Sequence, residues 1–245
     1  MMQRIEWKNL NIDPSEVYRR IGMPDADSKR SQNFKPYVEQ MRLKALGLIE
    51  VRCIYDYVPV KVSGSEEILL ANQYPVKAAT SFFEGAAEVL IAIQTIGFRL
   101  EEESARLFEV NEMLDGMVLD GCGTVALDEA LELLRGMVVK DVSARGLQTG
   151  HNLCPGGYQI PLEAQKTIFA LLDGGEIGVT LGESLVMSPV KSHTLVIPVG
   201  QKLSKPNLSC AITCEMCVDQ QNCSHSRLKF GKPKPLATDG EKRNT

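Results

Sequence analysis

Two stretches carry residue types whose spacing can do chemistry. The first is Leu153-Cys154-Pro155-Gly156-Gly157-Tyr158, a glycine pair beside an aromatic ring. Glycine lets the backbone approach a small polar ligand that a side chain would keep away, and a neighbouring ring can cover the flat part of that ligand. A plain tight turn joining two elements uses the same residues. The second is Cys210-x3-Cys214-x2-Cys217-x5-Cys223. As thiolates, four cysteines in so short a segment suit one tetrahedral zinc ion or an iron–sulfur cluster; a reduced, flexible tail is the bland alternative.

The elements around the glycine turn follow from periodicity. Ala164, Ile168, Leu171 and Leu172 lie on one face of a helix, with Pro161 and Glu163 suited to its first turn. Short β-like runs follow over 177–180, 184–187 and 194–199. Upstream, residues 117–139 read as a helix interrupted by Gly121 and Gly123, a sign that another element or a ligand comes close. Glu101, Glu102 and Glu103 fit the first turn of a preceding surface helix.

Earlier still, FFEGAAEVLIAIQ, within 80–95, is apolar on nearly every side and predicts a buried helix ended by Gly97. Residues 49–62 alternate with a period of two and predict a strand, with Ile68 to Leu70 pairing back after the Ser63-Gly64-Ser65 turn. Asp13-Pro14 opens a helix that Gly22 closes, and a second helix is expected from Pro36 to Leu46. The division expected is an N-terminal helical adaptor over 1–48, an α+β core over 49–205, a cysteine-rich loop over 206–227 and a disordered tail over 228–245.

Composition narrows the classes of function. A net charge of −4 lacks the basic footprint of a nucleic-acid binder. No apolar run is long enough to span a bilayer, and MMQRIEWKNL lacks the apolar centre of a signal peptide, so the expected compartment is the cytoplasm. In that reducing setting a tight cysteine cluster reads as metal ligation before disulfides. Cys210, Cys214 and Cys217 share the spacing of radical S-adenosylmethionine enzymes, but no (β/α) repeat follows them and that reading is rejected.

The order of these features carries a resemblance. Pro155-Gly156-Gly157-Tyr158, the Pro161-Leu162-Glu163 helix start, then Ile177-Gly178-Val179, Glu183-Ser184, Met187, Pro189 and Lys191-Ser192 resemble the S-adenosylmethionine-binding activation domain of cobalamin-dependent methionine synthase, in its stand-alone form. The likeness continues upstream through TIGFRLEEESARLF and MLDGMVLDGCGTVALDEALELL and covers about residues 5 to 200. It implies an α+β fold, an antiparallel sheet with packed helices. It also implies a ligand site of Asp128 (with Glu129 the alternative), Cys154, Pro155, Gly156, Gly157, Tyr158 and Glu183, with S-adenosylmethionine as ligand. One position departs. The family places an arginine just before the Pro-Gly-Tyr turn, where it helps hold the ligand carboxylate; here Asn152 or Leu153 stands there, and the nearest cationic candidates are Arg145 and, if protonated, His151.

The resemblance implies a module that presents S-adenosylmethionine to the cobalamin of a corrinoid-binding protein or cobalamin-dependent methyltransferase, for reductive methylation of its cobalt. A sulfonium is a good methyl donor that needs positioning more than acid–base help, which fits a chain without a Ser-His-Asp or Cys-His constellation. Two other readings stand beside it. One is a docking or electron-delivery partner that has lost the ligand and works through Cys210, Cys214, Cys217 and Cys223; the other is a structural or regulatory S-adenosylmethionine-binding domain.

Overall fold

The computed structural model describes residues 2–8, 10–23 and 29–206. Among them are the helices α1 (Pro14–Arg20), α2 (Lys29–Leu48), α3 (Arg99–Glu109), α4 (Met113–Ala144) and α5 (Ala164–Leu171). The strands are β1 (Gln3–Trp7), β2 (Val51–Val62), β3 (Glu67–Leu70), β4 (Tyr74–Lys77), β5 (Glu88–Thr95), β6 (Gln148–Thr149), β7 (Thr180–Leu181), β8 (Met187–Ser188) and β9 (Ser192–Gly200). All main-sheet pairs are antiparallel in the order β4-β3-β2-β5-β9-β6, with β1 added to β2; β7 and β8 form a separate hairpin. The fold is α+β. No helix among the described residues is long and apolar enough to cross a membrane.

The centre of the sheet corrects one expectation. Glu88 to Thr95 is a strand, not part of a buried helix, and only Thr80–Phe82 of the stretch before it is helical, as a single 3-10 turn. β5 lies between β2 and β9, and both of its faces are covered. Val89, Ile91 and Ile93 enter one core; Leu90 and Ala92 enter the other. A strand buried on both sides loses the period-two signal and reads as a continuous apolar run, which a helix can share. Each of these valine, leucine and isoleucine side chains contributes about 1.5–3 kcal/mol on burial.

The two sheet faces have different covers. Ile54, Ile91, Ile93 and Val196 pack with Ile160, Ile168 and Ile177 from α5 and its flanks. Cys53, Leu90, Leu195 and Ile197 pack under Leu134, Val138 and Val142 of α4. The first half of α4 instead packs against α1, α2 and α3, through Val118, Leu119, Cys122 and Ala126. Its glycines serve that packing. A Cβ at Gly121 would lie 2.9 Å from Ile21 Cγ2, and one at Gly123 would lie 2.6 Å from Leu100 Cδ2.

Several boundaries also move. α2 begins at Lys29 and carries Pro36 inside it, where a proline ordinarily marks a start. β1 was not expected; its pairing of Ile5 with Cys53 places the first residues on the main sheet. α1 does begin where expected, with Asp13 accepting from the Ser15 amide at 2.9 Å and Gly22 leaving the helix at φ 76°.

Candidate functional site

α4 and the segment after β6 build the site together. Gly150 donates to the Pro198 carbonyl at 2.6 Å, and Leu153 bridges Val196 through two bonds of 2.9 Å. The segment is thereby tied alongside β9. Leu153 is buried in the core below, so by alternation Asn152 and Cys154 turn towards the α4 side. The Asp128 carboxylate on α4 acts electrostatically on the Cys154 thiol and on the His193 imidazole. Cys154 has exposed surface, yet desolvation and then Asp128 push its thiol up to about 11, which keeps it protonated at neutral pH.

The glycine turn is real but uses its own donors. Gly157 donates to the Cys154 carbonyl at 3.0 Å and Gly156 to the Ile160 carbonyl at 2.9 Å. Gly156 sits at φ 94°, a conformation that L side chains rarely adopt. A Cβ at Gly157 would meet the Cys154 carbonyl oxygen at 3.1 Å. With both glycine amides engaged, what the turn offers is close backbone approach. Pro155 is half-buried at its start.

Tyr158 is 49% exposed and lies edge-on to Phe82, with ring centroids 6.2 Å apart. Phe82 also meets His151 edge-on at 5.7 Å, and the Lys205 ammonium sits 4.0 Å over the Phe82 ring. His151 is held below its ordinary pKa by desolvation first, then by the charges of Arg135 and Lys205. Arg135, on α4, is 3% exposed, and its Nη1 is buried without a hydrogen-bond partner among the described residues.

Polar contacts of Gln94 and Lys191 hold β5 and β9 against α4. Gln94 on β5 donates its amide to the Ala130 carbonyl of α4 at 2.8 Å, which turns its oxygen towards His193, 2.7 Å away. That oxygen can only accept, so the His193 Nε2 carries the proton. Burial lowers the His193 pKa to about 4, while Asp128 acts in the opposite direction. Lys191 reaches Asp120 at 2.9 Å and Thr124 at 2.8 Å, so the residue before β9 is tied to α4, while the Ser192 hydroxyl donates to Thr95 Oγ1 on β5 at 2.9 Å.

The sequence-predicted residues divide accordingly. Asp128 acts electrostatically on Cys154, and Pro155, Gly156, Gly157 and Tyr158 continue the same segment. Glu183 is exposed in the turn between β7 and β8, not on a strand, and no described contact joins it to the others. Arg145 is engaged elsewhere, with Glu88 and over the Tyr57 ring at 5.0 Å. Cys210, Cys214, Cys217 and Cys223 lie outside the described residues. Among the described residues no cluster of three or more His, Cys, Asp or Glu can hold a metal ion.

Sequence reasoning passed over Arg20, Phe82, Gln94, Arg135 and Lys205. Only Arg135 had a local signal: it follows Asp128 by seven positions, which places both on nearly one face of a helix, about 10 Å apart along its axis. An open depression of about 240 Å³, lined by Glu66, Lys77, Gln159 and Pro161 among others, includes Tyr158 as its one sequence-predicted site residue. It is below the size of ordinary ligand pockets.

No protein-family model and no curated protein matches the chain. Among solved structures, the MetH reactivation domain bound to AdoHcy is similar over 98% of this chain and 91% of its own, with a TM-score of 0.64 and 14% sequence identity. That likeness shows a shared fold.

Proposed function

We propose that this protein is a reactivation module that binds S-adenosylmethionine between the second half of α4 and residues 150–158, and presents it to a corrinoid-binding methyltransferase partner. The observation that carries the reading is the electrostatic reach of Asp128 to Cys154, the first residue of the Cys154–Tyr158 turn, in the fold of a domain solved with AdoHcy. The residues suit such a ligand. The Asp128 carboxylate can accept charge-assisted hydrogen bonds from ribose hydroxyls or an ammonium group. Tyr158 offers a half-exposed ring, and the glycine pair lets the chain pass close to the ligand.

Bound S-adenosylmethionine supplies a sulfonium methyl group, to be taken up by reduced cobalt on the partner. The chain itself has to bind, orient and partly exclude water, which is work of proximity rather than acid–base catalysis. The side chains agree with that role. Cys154 stays a neutral thiol and His193 a neutral imidazole near pH 7, so neither adds a charge beside the sulfonium.

Titration of S-adenosylmethionine into the anaerobically purified protein, followed by calorimetry alongside Tyr158→Ala, tests the reading. Micromolar binding that the substitution weakens at least tenfold is expected. A folded wild-type protein that takes up no ligand at millimolar concentration would overturn it.

A further inference from the structure

The buried guanidinium of Arg135 is the most unusual charge in the described chain. An arginine removed from water ordinarily has a carboxylate or several carbonyls around it, because desolvating the charge costs several kcal/mol, roughly, when nothing compensates. Arg135 is 3% exposed, no salt bridge or hydrogen bond of its side chain is found among the described residues, and its Nη1 is enclosed without a partner. Among the described residues no carboxylate pairs with it. His151, on the segment opposite, feels Arg135 and Lys205 as positive charges. Lys205 stands over Phe82, whose ring contacts both His151 and Tyr158.

We infer that Arg135, with Lys205 at the rim, is the receptor for the ligand's carboxylate, on α4 instead of at the position before the glycine turn. This rests on the proposed S-adenosylmethionine site. The geometry gives three reasons. Arg135 lies on nearly the same face of α4 as Asp128, two turns further on. Its charge reaches His151, on the segment that ends in Tyr158 and on which Asn152 and Leu153 can offer no positive charge. Arg145, the other cation near in sequence, is committed to Glu88 and Tyr57. A guanidinium takes a carboxylate through two parallel N–H donors, and away from water that pair selects ligands that carry a free carboxylate.

The test compares S-adenosylmethionine with its decarboxylated form, which differs by the carboxylate alone. Calorimetry is run on wild type, Arg135→Met and Arg135→Lys. Wild type is expected to prefer S-adenosylmethionine at least tenfold. Arg135→Met should bring the two ligands within about twofold by weakening only the carboxylate-bearing one, with the lysine variant in between. Without ligand, Arg135→Met should also raise the His151 titration midpoint in NMR, and should unfold at the same or a higher temperature, since it removes a buried charge that has no partner. Wild-type binding with an unchanged preference in Arg135→Met would overturn this inference and leave the proposed site standing. A wild type silent to both ligands would overturn the site and the inference with it.

Discussion

Asp128 on α4 is 2.5 Å from the guanidinium of Arg20 on α1, across 108 positions of sequence. The acid that the sequence offers to a ligand is thus already paired within the protein. Both side chains keep contact with water, at 39% for Asp128 and 27% for Arg20, so the pair contributes only about 0–1 kcal/mol to stability. Its effect falls on the site. A ligand donor that approaches Asp128 competes with Arg20 for the same oxygens.

Asp128→Asn and Arg20→Gln should therefore separate. Asp128→Asn is expected to weaken S-adenosylmethionine about tenfold or more, while the thermal midpoint moves by a few degrees at most. Arg20→Gln should leave affinity unchanged or improve it by releasing the carboxylate. Calorimetry and thermal unfolding of both variants check this. An Arg20→Gln loss as large as that of Asp128→Asn would show that the ion pair, not the free acid, serves the ligand.

His193 makes acid stability predictable in sign. Its folded pKa is lowered from 6.5 to about 4, first by desolvation. Between those values the unfolded chain holds the proton and the folded chain does not. The stabilising contribution is complete above pH 6.5 and is lost as pH falls through the window towards 4. His193→Gln keeps a donor for Gln94 and should flatten the fall in denaturation free energy between pH 6.5 and 4. An unaltered slope would contradict the buried neutral imidazole.

The end of β9 is closed by backbone contact. A Cβ at Gly200 would lie 2.1 Å from the Gly85 carbonyl oxygen, and one at Gly85 would lie 2.0 Å from the Lys202 carbonyl oxygen. Neither backbone can yield cheaply, so Gly200→Ala should cost about 3 kcal/mol or more in chemical denaturation. Gly136, inside α4 with nothing within 4 Å of an added Cβ, gives the opposite sign. Gly136→Ala should stabilise by about 0.5–1 kcal/mol, by restricting the unfolded chain and favouring the helix.

The legible parts of this protein are those whose signals are local. β2 alternates, α3 opens on acids, and α5 repeats at helical spacing, so each lies close to its expected place. β5 does not, because burial on both faces erases the alternation on which a strand is recognised. The site divides in the same way. The Cys154–Tyr158 turn stands out by residue type and Asp128 only through the family resemblance, whereas Arg20, Phe82 and Lys205 reach the site only through the tertiary fold. The interrupted helical pattern at Gly121 and Gly123 was visible, but its cause, the approach of Ile21 and Leu100, was not.

The most direct test of the central claim is to map S-adenosylhomocysteine onto the isotope-labelled, reduced protein by amide chemical shifts. The account predicts that perturbed amides cluster at Gly156, Gly157 and Tyr158 and over residues 128–135 of α4. Perturbations confined to the depression around Glu66, Lys77 and Gln159, or none at millimolar ligand, would contradict it.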